Sequence, residues 1–259
     1  MSIEQQEEAF DQRLAEMGIR IKDANTFKVS ENVFDEVTLL ALYKLVHKKW
    51  ITAIGGSIST GKEANVFLGD REDQAVAIKI YRIQSANFTT MSSYVTGDRR
   101  FSHVKKSKKE LIFAWTRKEF SNLARAKEAG LPVPEPLVWD RNILIMSFLG
   151  EGECPYPQLR SAEIDNPAQV YEDIMAMIGT LYNKAELVHG DLSEFNILYS
   201  DQPYLIDMGQ SVTRDHPRAL QFLMRDIRNM NRFFKKKGCE VKTEYEIFNA
   251  VTGLNVSQP

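Results

Sequence analysis

Three residues in the second half of the chain have types and spacings suited to work on phosphate. They lie in Leu187-Val-His189-Gly-Asp191-Leu-Ser-Glu-Phe-Asn196-Ile-Leu, followed by Leu205-Ile-Asp207-Met-Gly209. An Asp held by a tight turn can orient or deprotonate an attacking hydroxyl. An Asn five residues later and a second Asp on the next strand can share the metal that bridges the phosphates of a nucleotide. Phosphoryl transfer asks mainly for positioning and charge neutralisation, which this set supplies. Taken singly, Asp191 reads as a turn former, Asn196 as a turn residue and Asp207 as a strand terminator. That account does not explain their joint spacing between apolar strands. His189 reads as structural, holding the turn by packing and hydrogen bonding.

Upstream, Gly56-Ser-Ile-Ser-Thr-Gly61-Lys62-Glu63 matches the Gly-x4-Gly-Lys part of a Walker loop but puts Glu63 where a metal-binding Ser or Thr belongs. A Walker loop also opens a helix, whereas Asn65 to Leu68 reads as a strand. The segment therefore fits a phosphate-covering turn between two strands, with Ser57, Ile58, Thr60, Gly61 and Lys62 against the nucleotide. Read alone it is equally an ordinary Gly-containing hairpin, and Lys62 reads first as an exposed turn lysine that could approach phosphate. Val76-Ala77-Ile78-Lys79 then reproduces the strand that carries the phosphate-pairing lysine of protein kinases. Glu119, on the helix that follows one loop later, is the candidate carboxylate for orienting Lys79, with Glu110 as its rival.

The elements that must position these residues follow from periodicity. Apolar residues at helical spacing predict amphipathic helices over 1–22 and over 33–50, ahead of the catalytic unit. From Ile51 the texture becomes Gly-rich turn, a strand around Val66 and Leu68, a Gly69-Asp70 turn and the apolar run Ala75 to Ile80, a hairpin-rich small sheet. Residues 84–107 are rich in Ser, Thr, Gly and basic residues and read as a long mobile loop. A helix from Ser107 to Ala129 ends at Gly130 and Pro132, and Ile143 to Leu149 reads as an apolar strand. Further helices run from Pro167 through Tyr182 and from Pro217 to Lys237. Strands come first and helices later, an α+β order.

Composition narrows the field. The chain has 259 residues, 43% of them hydrophobic, enough for a proper core. The balance of 33 basic and 35 acidic residues argues against a surface built wholly for nucleic acid or anionic membrane. Two cysteines, Cys154 and Cys239, have no paired spacing and suggest neither a disulfide framework nor a zinc site. The acidic, polar start is unlike a signal peptide and no apolar run is long enough to span a bilayer. The expectation is a soluble cytoplasmic protein with no membrane partner.

Together these residues resemble the RIO family of atypical protein kinases, in its type-one branch. The resemblance rests on Ser59-Thr-Gly-Lys-Glu-Ala-Asn-Val-Phe67, Gly190-Asp-Leu-Ser-Glu-Phe-Asn196, Ile206-Asp-Met-Gly-Gln-Ser-Val212, His216-Pro-Arg-Ala and Phe222-Leu-x-Arg-Asp226, and covers about residues 36–238. It implies a small two-lobed kinase-like fold: a helical extension at 1–50, an N-lobe at 51–146 with the mobile loop 84–107, and a reduced C-lobe at 147–259. By resemblance, Lys79 pairs the ATP phosphates, Glu119 holds Lys79, Asp191 is catalytic, and Asn196 and Asp207 hold Mg2+ or Mn2+. Met146 guards the back of the adenine pocket, while Ser147 and Leu149 offer backbone hydrogen bonds to the base. The resemblance also implies ATP hydrolysis during maturation of the small ribosomal subunit, in contact with its precursor and RNA, with Asp207 as a conceivable phosphorylated nucleophile.

The sequence departs from ordinary protein kinases at Gly190, Ser193 and Met208, where Arg, Lys and Phe are usual, and no Ala-Pro-Glu segment follows. Peptide selection by the usual groove is therefore not expected. Three functions stay open. The first is a serine-directed kinase or ATPase that phosphorylates itself, with Ser107 inside Lys105-Lys-Ser-Lys-Lys109 as a candidate position, although that stretch reads more readily as a flexible solvated charge run. The second is a small-molecule kinase of the aminoglycoside or choline type. The third is a nucleotide-gated assembly factor whose patches at Lys105 to Lys109 and Lys235 to Lys237 touch RNA phosphate.

Overall fold

A computed structural model describes residues 20–21, 34–83, 91, 94–95, 97–101 and 107–257. It falls into two compact units. The first comprises Met1–Thr90, Val104–Phe120 and Pro136–Pro155; the second comprises Met91–His103, Ser121–Glu135 and Tyr156–Pro259.

The first unit is built on a six-stranded sheet. Its strands are β1 (Arg20–Ile21), β2 (Ala53–Thr60), β3 (Ala64–Arg71), β4 (Gln74–Tyr81), β5 (Pro136–Asp140) and β6 (Ile143–Ser147), in the order β1-β2-β3-β4-β6-β5. Every pairing is antiparallel except the short β1 beside β2. Helix α1 (Glu36–His47) covers the sheet, and its start is set by Asp35, whose carboxylate accepts from Thr38 N–H at 2.9 Å. Leu39, Ala41, Leu42 and Leu45 on α1 meet Ile54, Phe67, Val76, Ile78, Ile80, Ile143 and Ile145 in one apolar core. Helix α2 (Lys108–Glu128) belongs to this unit through Phe120, and the short strands β7 (Gly150–Glu151) and β8 (Cys154–Pro155) complete it.

The second unit is mainly helical. It holds α3 (Pro167–Asn183), α4 (Ala219–Lys236) and α5 (Glu244–Thr252), the hairpin β10 (Ile197–Tyr199) and β11 (Pro203–Leu205), and the antiparallel pair β9 (Leu187–Val188) and β12 (Val212–Thr213). Proline at the first turn of α3 and Asn166 as its cap start that helix. The expected α+β order is present.

Several local readings change. The turn expected at Gly69-Asp70 lies instead at Glu72 and Asp73, both in left-handed backbone (φ 47° and 65°), and pairing runs unbroken through Asp70↔Ala75 and Arg71↔Gln74. Such a two-residue reversal matches the right-handed twist of the strands it joins. Gly69 is needed for another reason: a Cβ there would collide with the side chain of Ile78. The apolar strand stops at Ser147 rather than Leu149, and the tail after α4 contains the capped helix α5, bounded by a Thr243/Glu246 capping box and left-handed Gly253. The helix expected over 33–50 is α1. The one expected over 1–22 lies outside the described residues, except that Arg20–Ile21 form a strand. Of the expected loop 84–107, the described positions include buried Met91, Tyr94, Val95, Asp98 and Phe101 and a 3-10 turn at Arg99–Phe101.

Candidate active site

In the first unit, the β2–β3 turn connects two strands, so no helix follows it. The register of β2 against β3 shifts on both sides of Ser57, and the buried Ser57 hydroxyl has no hydrogen-bond partner among the described residues. A buried hydroxyl without a partner is costly unless something else meets it. Gly61 N–H donates to Ala64 O at 2.9 Å, so it closes the turn and is not free for a ligand. Ile58 is half-buried, and Ser59, Thr60, Gly61 and Lys62 are exposed.

Lys79 sits at the Val66 and Leu144 register positions of β4 and is 6% exposed. Its ammonium donates to Glu119 Oε1 at 2.7 Å, and the Tyr81 hydroxyl donates to Glu119 Oε2. Glu119 is 1% exposed, so the structure selects it over the exposed Glu110 as the partner of Lys79. Met146 and Ser147 pair with Ala77 and Val76 at the end of β6, and Leu149 lies between β6 and β7. Ser107 is exposed, and its hydroxyl accepts from Glu110 N–H at 3.3 Å at the start of α2.

In the second unit, the turn after β9 carries Asp191. Gly190 has φ +79°, and a Cβ there would lie 2.9 Å from Gln210 O, so the position usual for Arg requires glycine here. Asn196 donates from its amide to Asp191 O at 2.8 Å and to Asp191 Oδ2 at 3.3 Å, and Gln210 Nε2 donates to the same Oδ2 at 3.0 Å. Ile206 N–H donates to Asn196 O at 3.0 Å, which sets Asn196 and Asp207 at the same end of the β10–β11 hairpin. Asp207 itself is left-handed (φ 61°, ψ 58°), a costly conformation for a non-glycine residue that concentrates at functional sites. Burial pushes the Asp191 carboxyl above the usual carboxylate range and the nearby Asp207 carboxylate pushes it further, against the Arg225 guanidinium and the Asn196 amide.

Most of the supporting layer carries no signal in the sequence. Asp226 on α4 is buried and accepts from Gly190 N–H at 2.8 Å and Leu192 N–H at 2.9 Å, the two amides flanking Asp191. Burial raises its carboxyl to about 7, although both amides and Arg225 pull downward. Arg225 donates to Gly190 O and to the Tyr94 hydroxyl. Asn122 donates to Met208 O at 2.8 Å and Ser211 O at 2.9 Å, holding the turn that follows Asp207. His189 Nε2 lies 3.1 Å from Ile206 O, which fits a proton on that nitrogen. Of these residues the sequence pointed only to His189, as a turn-holding side chain, and to Phe222-Leu-x-Arg-Asp226 as a motif.

Among the described residues no group of three or more His, Cys, Asp or Glu is placed to hold a metal ion. The donors near Asp191 fit Mg2+ all the same, since that ion keeps waters and phosphate oxygens and needs only one or two protein carboxylates. A carboxylate whose proton affinity is raised by a neighbouring carboxylate is a suitable setting for a cation.

Residues 65–247 match the model of the RIO domain. The chain belongs to the RIO family. It is 44% identical over 246 residues to the RIO-type serine/threonine-protein kinase Rio1 of Haloferax volcanii, covering 94% of this chain and 84% of that one. It is 38% identical to the human serine/threonine-protein kinase RIO1, covering 92% of this chain but 43% of that one. The chain thus spans less than half the length of the human relative. Among solved structures it is similar to the Rio2 kinase of Chaetomium thermophilum in complex with ADP, Mg2+ and phosphoaspartate, with TM-score 0.68, 27% identity, and coverage of 84% of this chain and 66% of that one. No helix among the described residues is long and apolar enough to cross a membrane.

Proposed function

We propose that the chain is an ATP-dependent RIO-type serine/threonine phosphotransferase, with Asp191 as the group that orients or deprotonates the acceptor hydroxyl. The observation that carries this is the hydrogen-bonded set Asp191, Asn196 and Gln210 beside a left-handed Asp207, in a family whose relatives bear kinase names. Lys79, oriented by Glu119 and Tyr81, pairs the nucleotide phosphates. The Ser57 to Lys62 turn covers them, Met146 backs the base, and Ser147 and Leu149 offer it backbone groups. Asn196 and Asp207 would hold Mg2+ or Mn2+, which neutralises charge developing on the phosphates when bound. The raised affinity of Asp191 for a proton suits a group that accepts one from a hydroxyl.

The biological setting proposed is maturation of the small ribosomal subunit in the cytoplasm, with its precursor and RNA as partners. Ser107 is the proposed self-modified position. The phosphoaspartate of the similar Rio2 kinase suggests Asp207 as an alternative nucleophile: its carboxylate would attack the γ-phosphorus, ADP would leave, and water would later release phosphate. Hydroxylamine-labile label on wild-type protein, lost in Asp207→Asn, is the expected sign. Acid-stable, hydroxylamine-resistant serine label alone would remove that route.

The test of the main reading compares two variants. Asp191→Asn is expected to keep nucleotide binding while suppressing transfer roughly 10²- to 10⁴-fold, and Asp207→Ala to weaken Mg2+-dependent ATP binding itself. Full activity in both variants would overturn the site assignment.

A further inference from the structure

The loop between Asp191 and Asn196 places one large apolar side chain in water. Leu192 and Ile197 of this stretch are fully buried and supply its packing, whereas Phe195 is 47% exposed. Phe195 is thus not needed for the core. The adjoining segment Tyr156–Arg160 is laid along the loop by four main-chain or side-chain bonds. Gln158 Nε2 donates to Phe195 O at 3.0 Å, Leu159 N–H to Ile197 O at 2.8 Å, Arg160 N–H to Glu194 O at 3.2 Å, and Tyr199 N–H to Pro157 O at 2.9 Å. These fix the Arg160 backbone relative to the loop that carries Asp191.

From that anchor the Arg160 guanidinium lies 5.0 Å from the centre of the Phe195 ring. Arg160 is exposed, and no ion pair holds it among the described residues. Stacking on a ring leaves the edge N–H groups of a guanidinium free for a planar carboxylate. Holding it in place beforehand also reduces the ordering cost of binding. An apolar face and a ready cation, held against the loop that carries the proposed acceptor-orienting Asp191, are complementary to an acceptor with a carboxylate near its reacting hydroxyl.

We propose that Phe195 and Arg160 form an acceptor subsite, and that the preferred acceptor is a protein segment with Asp or Glu within a few residues of the phosphorylated serine or threonine. This rests on the reading of Asp191 given above. It fills the place of the peptide-docking segment that the sequence lacks after Asp207. It also sets Ser107, flanked by Lys105, Lys106, Lys108 and Lys109, on the disfavoured side of the selectivity.

The test uses the full chain and two peptides that share one central serine, flanked by glutamates in one and by lysines in the other. Wild type is expected to favour the acidic peptide in kcat/KM by about three- to tenfold, as for an exposed charge-assisted pair. The difference should lie in KM. Arg160→Glu should reverse the preference, Arg160→Lys should restore part of it, and Phe195→Ala should raise KM for both peptides. Equal kcat/KM for the two peptides in wild type, or an unchanged ratio in Arg160→Glu, would overturn the subsite. So would Arg160-dependent inhibition by polyuridylate stronger than that by polyglutamate, since the occupant would then be nucleic acid. Full transfer by Asp191→Asn with the acidic preference intact would instead break the reading of Asp191 and leave the subsite standing.

Discussion

The two units treat buried charge in opposite ways. In the first, Lys79 and Glu119 neutralise each other at 2.7 Å, and Tyr81 satisfies the second carboxylate oxygen. In the second, burial and the like charge of Asp207 raise the proton affinity of Asp191, with amide donors from Asn196 and Gln210 and the nearby Arg225 as compensation. The first arrangement is a paired cation and anion that holds a cationic side chain in one pose. The second sets two carboxylates close together, an arrangement suited to the proposed metal and nucleotide. A balanced pair fixes geometry; an unbalanced one reserves electrostatic free energy for a ligand.

The comparison is broken most strongly at Lys79. Lys79→Met leaves Glu119 buried without its cation, and denaturation should show a loss of about 3–5 kcal/mol. The Tyr81 hydroxyl reduces that loss, so the double change Lys79→Met, Tyr81→Phe should exceed the single one. A stability within experimental error of wild type would mean that the pair does not hold the first unit.

Asp226→Ala in the second unit strips the acceptor from two buried amides and should cost about 2–4 kcal/mol, together with a fall in transfer as Asp191 loses its fixed turn. Its pH dependence sharpens the contrast. A carboxyl held at about 7 when folded and 3.8 when unfolded binds its proton more tightly in the native state. The contribution of Asp226 to stability is therefore fully present below about 4 and is lost as pH rises towards 7. Asp226→Asn should flatten that part of the stability profile, as urea titrations at pH 5 and pH 8 would show. An unchanged slope would mean that the two amides and Arg225 outweigh burial.

The smallest effect is on Asp191 itself. Removing the neighbouring charge with Asp207→Asn should lower the Asp191 pKa in nucleotide-free protein, read by carboxyl-carbon NMR. No movement would leave burial as the whole cause and weaken the picture of an unbalanced pair.

The contrast also explains what the sequence could reveal. Asp191, Asn196 and Asp207 lie within one strand-turn-strand stretch, so their spacing is visible in a single line of residues. Lys79 and Glu119 are 40 positions apart, and only a known motif order suggested the pair that the structure brings together. Asp226, Asn122 and Arg225 act through backbone groups 34 to 89 positions away. A backbone amide carries no side-chain signal, so nothing in residue type announces that it needs an acceptor. The Gly69 misreading has a similar origin. Glycine suggested a turn, yet here it makes room for Ile78 across the sheet, while the reversal falls on Glu72 and Asp73, of which only Asp73 is a residue type that tolerates left-handed backbone.

The account turns on whether the second unit's carboxylates direct phosphoryl transfer. The most direct measurement is γ-labelled ATP turnover with Mg2+ by wild type and Asp191→Asn, following label into protein, free phosphate and added small-subunit particles in parallel. The account predicts Mg2+-dependent label in protein or phosphate from wild type, and a loss of at least about a hundredfold in Asp191→Asn with ATP binding retained. Undiminished label from Asp191→Asn, or turnover indifferent to Mg2+, would contradict it.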